Sequence, residues 1–508
     1  MSTARKVLLS STTALGTFVL SSVPSSAQET PSYTPATPML TPEIAVTSPD
    51  EQGSPATTAA APADEPTRGG LLLTFGVEFT LETRENMDLE VVPEDRVNEF
   101  TTRLSFGLLS ETRSHRLEFL LSDGFPINDD PNDQDSGRVR LPAVFLSYTR
   151  EAANAAFSIT GSYVRDRVDD VSLGRDFVDE GPNVPNDTVD LQGGGYRSDY
   201  SLAAELNLGT VSPIGLDLSA GVFGVDYLDN TDPDLVDSRN EVYDATVRLR
   251  FSPITESRVT LLQEQYTEEG TGRRQVDTSA IELGLNHQIS EANTIDLAFG
   301  YRNVDTDEFG ILERHDGPTA ALALTREMAN GFVDTRFISS INENGNFMRL
   351  DFGRSIDLPE GALAGRVGVE QLEGNSAVLV GDIDWLRALP SGAVTARFSR
   401  DVEPLLGNDR ASVNSNDQSI TTLVAFGTTH DINPLSAIDL ELIFALVEET
   451  GVEDVKRSDL SLTYRREITR NWDMNMGLVY RTRKEDRQDQ ATGNSVFLTL
   501  SRPFEVRP

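Results

Sequence analysis

The sequence predicts an all-β fold: an antiparallel, up-and-down transmembrane β-barrel of about 22 strands (roughly 18–24), following a signal peptide and a disordered tail. Three observations predict it. From about residue 70 onward, strand-like segments of roughly 10–14 residues alternate apolar and polar side chains. The segments come in pairs, with a short connection within each pair and a long acidic one between pairs. Beyond the leader no apolar run reaches the roughly 18 residues that a membrane helix needs. A barrel wall escapes that limit because only alternate residues meet lipid.

The chain has 508 residues. Arg5 and Lys6 open a basic start, the apolar stretch 7–23 follows, and Ser25-Ser26-Ala27 suits cleavage before Gln28. Residues 1–27 are therefore expected to be a signal peptide. Residues 28–68 are rich in Pro, Thr, Ala and Ser. They carry too little apolar surface to offset ordering entropy and are expected to form a disordered periplasmic tail. Residues 69–508 are the barrel.

Its first strand places Leu71, Leu73, Phe75, Val77, Phe79 and Leu81 on one face and Gly76, Glu78, Thr80 and Glu82 on the other. The second places Phe100, Thr102, Leu104, Phe106 and Leu108 against Arg103, Ser105 and Gly107. Short turns are predicted at 111–114, 151–154, 211–213, 254–256, 289–291, 328–330, 356–359, 389–391, 432–434 and 468–471, where Pro, Asn, Gly and charged residues interrupt the alternation. Segments 259–265 and 332–338 are ambiguous in facing. Tyr148, Trp385, Tyr464 and Trp472 fall near short turns, and Tyr163, Tyr227, Tyr243, Tyr301 and Tyr480 near long ones, as two aromatic girdles would. A propeller has a similar repeat period, but its blade strands are shorter.

The formal net charge is −38. Such a surface repels nucleic acid and is a poor general partner for anionic lipid. Much of the acid lies in the long connections. Asp169, Asp170, Asp176, Asp179 and Glu180 are candidates for a constriction loop, although charge that simply solvates a loop is the blander reading. Opposite the apolar face, Arg103, Arg248, Arg250, Asp296, Arg302, Asp382, Asp384, Arg397, Asp439 and Glu441 are candidates to line a lumen. Mixed charge there either lines a wet pore or braces the wall through cross-strand pairs. With no cysteine there is no lipoprotein anchor, disulfide or thiolate metal site.

The chemistry of an enzyme is weakly represented. The four histidines, His115, His287, His315 and His430, form no metal-binding spacing, and no G-x-S-x-G occurs. His315-Asp316 admits comparison with the Asp-His pair of omptin proteases. The acidic run 128–135 offers oxygen ligands for calcium but lacks the spacing and glycine of an EF-hand. No cofactor, metal site or catalytic residue is expected.

Glu43-Ile44-Ala45-Val46-Thr47 faintly resembles the box by which TonB-dependent transporters engage their energy-coupling partner. Those transporters carry a plug domain of more than about a hundred residues in a 22-stranded barrel. The roughly forty residues ahead of the first strand leave no expectation of a plug. The segment 494–504, alternating Val496, Leu498 and Leu500 up to Phe504, resembles the last strand of the uncharacterised β-barrel porin families of proteobacteria. It also resembles the C-terminal signal read by the barrel-assembly machinery, with the departure that four residues follow Phe504. The resemblance implies a Gram-negative outer-membrane protein with periplasmic termini. Its implied partners are outer-membrane lipid and lipopolysaccharide, the assembly machinery, and small solutes or ions; the oligomeric state stays open. It implies a passive channel, or a structural or polysaccharide-export-associated barrel with a blocked lumen; a barrel-embedded hydrolase is the remaining alternative. The asymmetry of short and long connections itself places the loops at 166–190 and 401–418 outside.

Overall fold

A computed structural model describes residues 70–508 except 88, 92–95, 129–139, 169–194, 231–234, 270–272, 405–417, 450–453 and 486–488. The leader and tail, the constriction-loop candidates Asp169, Asp170, Asp176, Asp179 and Glu180, and all but the first residue of the acidic run 128–135 lie outside the described residues.

The described residues contain 22 strands and no helix. They are β1 Gly70–Glu85, β2 Val97–Glu111, β3 His115–Asn128, β4 Leu141–Ala152, β5 Ala155–Arg167, β6 Tyr196–Leu208, β7 Ile214–Leu228, β8 Asp237–Ser252, β9 Thr255–Glu269, β10 Arg274–Ser290 and β11 Asn293–Glu308. The second half comprises β12 Ile311–Met328, β13 Gly331–Asn342, β14 Gly345–Leu358, β15 Gly361–Leu372, β16 Val378–Leu389, β17 Gly392–Pro404, β18 Gln418–Asn433, β19 Ser436–Glu449, β20 Val455–Thr469, β21 Trp472–Glu485 and β22 Ala491–Val506. Each strand pairs antiparallel with the next, and β22 returns to β1, so the sheet closes as an up-and-down barrel. Closure leaves no sheet edge running the height of the wall. The residues beyond Phe504 extend the seam: Glu505 pairs with Thr74 and Val506 with Leu73.

All ten predicted short turns join strands at one end of the barrel, through connections of two to five residues. Both ends of the sheet lie at that same end. The opposite end differs from expectation. Long connections occur at 86–96, 129–140, 168–195, 229–236 and 405–417, but from β9 to β16 the connections are only two to five residues long. There acidic residues such as Asp305 and Asp307 lie in the ladder and not in a long connection. Acidic composition between the pairs does not distinguish a loop from a strand end that runs on beyond the apolar belt.

The outward face is apolar around the barrel. Leu283, Phe299 and Phe352 are 60%, 61% and 60% exposed, with Leu81, Leu104 and Leu350 similarly bare. Soluble monomers rarely show contiguous apolar patches above a few hundred Å²; a continuous belt is the surface that a bilayer covers. The ambiguous segments resolve by register. Val259 and Leu261 face out while Arg258, Thr260 and Leu262 face in. Phe337 faces out and the buried Asp334 in. Both segments carry apolar residues on their two faces, which is why alternation alone did not orient them. One girdle assignment fails: Tyr227 turns inward and packs on Val168.

Candidate functional site: the inner wall

The inward positions carry charge, and the structure joins those charges across the strands. Arg258 on β9 crosses β10 to hold both carboxylate oxygens of Asp296 on β11, at 2.7 and 2.9 Å. Gly284 makes the crossing possible, since a Cβ there would fall 2.6 Å from the guanidinium carbon. Asn286 donates a further bond of 3.0 Å to Asp296, and Glu282 lies 3.8 Å from Arg258. Arg302 approaches Glu264 at 3.8 Å, and Asn240 donates to Glu264 at 3.1 Å. Asp296 is 2% exposed, so this section is a dry ionic seam within the wall.

On β13–β17 the pairing is wetter. Arg349 bridges Asp351 at 3.0 Å, Glu370 at 3.3 Å and Asp401 at 3.2 Å, the last from three strands away. Arg366 lies between Asp334 at 3.5 Å and Asp382 at 4.0 Å. Asp384 and Arg397 pair at 3.2 Å, with side chains 48% and 39% exposed. Asp384, Arg397 and Asp401 are exposed on the inner face, whereas Asp334, Asp351 and Glu370 are buried like Arg258 and Asp296.

Each predicted lumen residue can be placed on this map. Asp382, Asp384 and Arg397 stand on the wet strip. Asp296 and Arg302 belong to the dry seam. Arg248 pairs with Asp217. Arg250 binds Glu256 at 2.8 Å and the carbonyls of Gly209 and Ser212 at 2.9 and 2.8 Å, tying down the turn between β6 and β7. Asp439 accepts from Arg465 at 2.9 Å and Thr429 at 2.7 Å. Glu441 faces in between Gly427 and Ser461, and Arg103 stands opposite Glu78. His315 and Asp316, adjacent on β12, point to opposite faces: His315 registers with the buried inward Val304, and Asp316 accepts a bond from the outward Tyr301. As neighbours on one strand they do not converge on one site.

One inward element escaped the sequence reading: the hairpin of β13 and β14. Pairing of β12 with β13 stops at Ala320–Ser339. Above that point the β13–β14 hairpin leans inward. Ile341 is 2% exposed, packed with Tyr266, Val276 and Val304 of the inner wall, and its Cδ1 would lie 2.9 Å from a Cβ on Gly317. At the tip Glu343 pairs with Arg274 of β10 at 2.8 Å. Pro318, which lacks an N–H, sits on β12 where the ladder to β13 ends. That proline is the one local signal that would have marked the split. Behind the tip, the Asn346 backbone N–H and side-chain amide donate to Glu373 at 2.9 and 2.7 Å.

No family model matches the sequence, and no curated protein matches it. Solved structures share the fold. The chain is similar to the ferric-catecholate import receptor Fiu from E. coli K12, with TM-score 0.53 and 9% identity over 87% of this chain and 82% of that one. It is similar to the FrpB iron transporter from Neisseria meningitidis (F3-3 variant), with TM-score 0.52 and 9% identity over 85% and 81%. The copper transporter OprC gives TM-score 0.50 and 11% identity over 87% and 82%. At such identities the likeness shows the barrel fold.

Proposed function

We propose that the chain is an outer-membrane transport barrel of a Gram-negative cell, a porin-like channel for small solutes and not an enzyme. Its termini and short turns are periplasmic and its long loops external. The observation that carries this reading is the exposed strip of opposed charges on β15–β17 inside a closed 22-stranded wall. Water-filled strips of fixed charge pass and filter small ions and solutes. The excess of acidic residues, 81 against 43 basic, makes a weak cation preference the expected selectivity.

Planar-bilayer conductance of the purified protein tests it. Discrete openings with a cation-leaning reversal potential support a channel; a clear anion preference refutes the charge argument. A folded protein that never conducts refutes the channel and favours a structural or export-associated barrel. Orientation has its own test. Cysteine at Asn375 should react with an impermeant maleimide on intact cells, and cysteine at Pro434 should not.

A second reading is energy-coupled import of metal chelates. It is favoured by fold neighbours that are iron, ferric-catecholate and copper transporters or receptors. It requires chelate accumulation that depends on the segment 43–47, which deletion of that segment measures directly.

A further inference from the structure

The outward face is segregated by sign at its short-turn rim. Six even-numbered strands place an arginine at an outward register position within five residues of their short turn or, for β22, near the chain end. These are Arg150, Arg326, Arg354, Arg387, Arg466 and Arg502. Each stands two residues beyond an outward apolar or aromatic side chain: Tyr148, Leu324, Phe352, Trp385, Tyr464 and Leu500 respectively. The strand carboxylates of the same rim, among them Glu327, Asp357, Glu467, Asp473 and Glu505, occupy inward positions. In a chain of net charge −38 this is a local reversal of sign.

The collar differs from the lumen in a second way. Inward arginines such as Arg258, Arg349 and Arg465 hold carboxylates. Among the described residues, Arg150, Arg326, Arg466 and Arg502 have no carboxylate within 4 Å. Arg387 meets Glu360 at 3.6 Å with both side chains exposed, and Arg354 donates to an amide oxygen of Asn330 at 2.8 Å. Arg502 is held by rings alone, 4.6 Å from the Phe504 centroid and 5.8 Å from that of Trp472. A guanidinium at the edge of an apolar belt, with its stem on lipid and no protein anion, is matched by a phosphate at headgroup height.

We propose that this rim is a collar that binds the phosphodiester headgroups of anionic phospholipid in the leaflet at the short-turn end. The proposal rests on the membrane-barrel part of the reading above and not on conduction. Planar guanidinium forks pair with phosphate oxygens, and basic groups near an anionic surface are drawn to it. The aromatic or aliphatic partner two residues away seats the acyl chains beside it. The general repulsion of anionic lipid expected from net charge then applies to the long-loop end, where Glu241, Asp277, Asp305 and Asp316 face outward.

The full chain is reconstituted in phosphatidylcholine vesicles containing trace spin-labelled phosphatidylglycerol or phosphatidylcholine, and the motionally restricted fraction of each probe is compared. A severalfold preference for phosphatidylglycerol, reduced by salt, is expected. Two double variants, Arg150→Gln with Arg326→Gln and Arg466→Gln with Arg502→Gln, should each lower it by about half. Arg314→Gln, paired with Asp305 at the other end, should leave it unchanged. Absence of preference in the wild type, full preference in both double variants, or equal loss in Arg314→Gln overturns the collar. Failure of wild-type chain to insert in either lipid overturns the membrane reading instead.

Discussion

Arg258 reaches Asp296 by lying across Gly284, so an ion pair spans three strands through the one position that has no side chain. The pair is buried, and both of its hydrogen bonds are charge-assisted. It fixes the relative height of β9, β10 and β11 in the wall.

Removing one partner of a buried pair strands the other charge, at a cost of roughly 3–5 kcal/mol. Asp296→Ala should therefore lower stability by about that amount, whereas Asp384→Ala, from an exposed pair, should cost at most about 1 kcal/mol. Urea-gradient unfolding in lipid checks both. Equal losses would show that the division into dry seam and wet strip is wrong. Gly284→Val should resemble Asp296→Ala, because its side chain takes the space of the guanidinium.

Leu297 lies on the lipid face with Phe299 and Tyr301. Leu297→Arg should cost roughly 2–4 kcal/mol and reduce assembly. Heat-modifiability on gels measures the folded fraction, and normal assembly of this variant would contradict the assigned facing.

The inward hairpin is held by Ile341 and by the Glu343–Arg274 pair. The double variant Ile341→Ala, Glu343→Gln should free its tip. Single-channel conductance should rise if the hairpin narrows the pore. Unchanged conductance would place the constriction elsewhere.

The hydrogen bonds from the Asn346 backbone and side chain hold the Glu373 carboxyl below its ordinary range. A depressed carboxylate stabilises the fold above its unfolded-state pKa, and that stability is lost as pH falls through the lowered folded value. The protection factor of the Asn346 amide, exchange corrected for its intrinsic pH dependence, should thus be high at neutral pH and fall on the acid side of the ordinary carboxylate range. Glu373→Gln should exchange faster than wild type at neutral pH, and matching rates would dismiss the contact.

The sequence by itself determined the strands, the ten short turns and most of the facing. Alternation with period two is a property of each strand alone, and a Pro, Asn or Gly stop acts locally. The facing of Leu297 and Asp296, or of Val247 and Arg248, is legible for that reason. Facing was lost at 259–265 and 332–338, where both faces carry apolar side chains. Only the tertiary structure decided which inward charges are partners. Arg258 finds Asp296 because register, curvature and a glycine on the intervening strand bring together residues 38 positions apart. The same holds for the inward hairpin: its docking of Ile341 on Val304 depends on where β13 leaves β12, and no local pattern contains that distance. The outward arginines lie between these cases. Their Φ-x-Arg spacing, where Φ is the outward apolar or aromatic residue, is written in the sequence, but only closure of the barrel sets six separate strands at one rim.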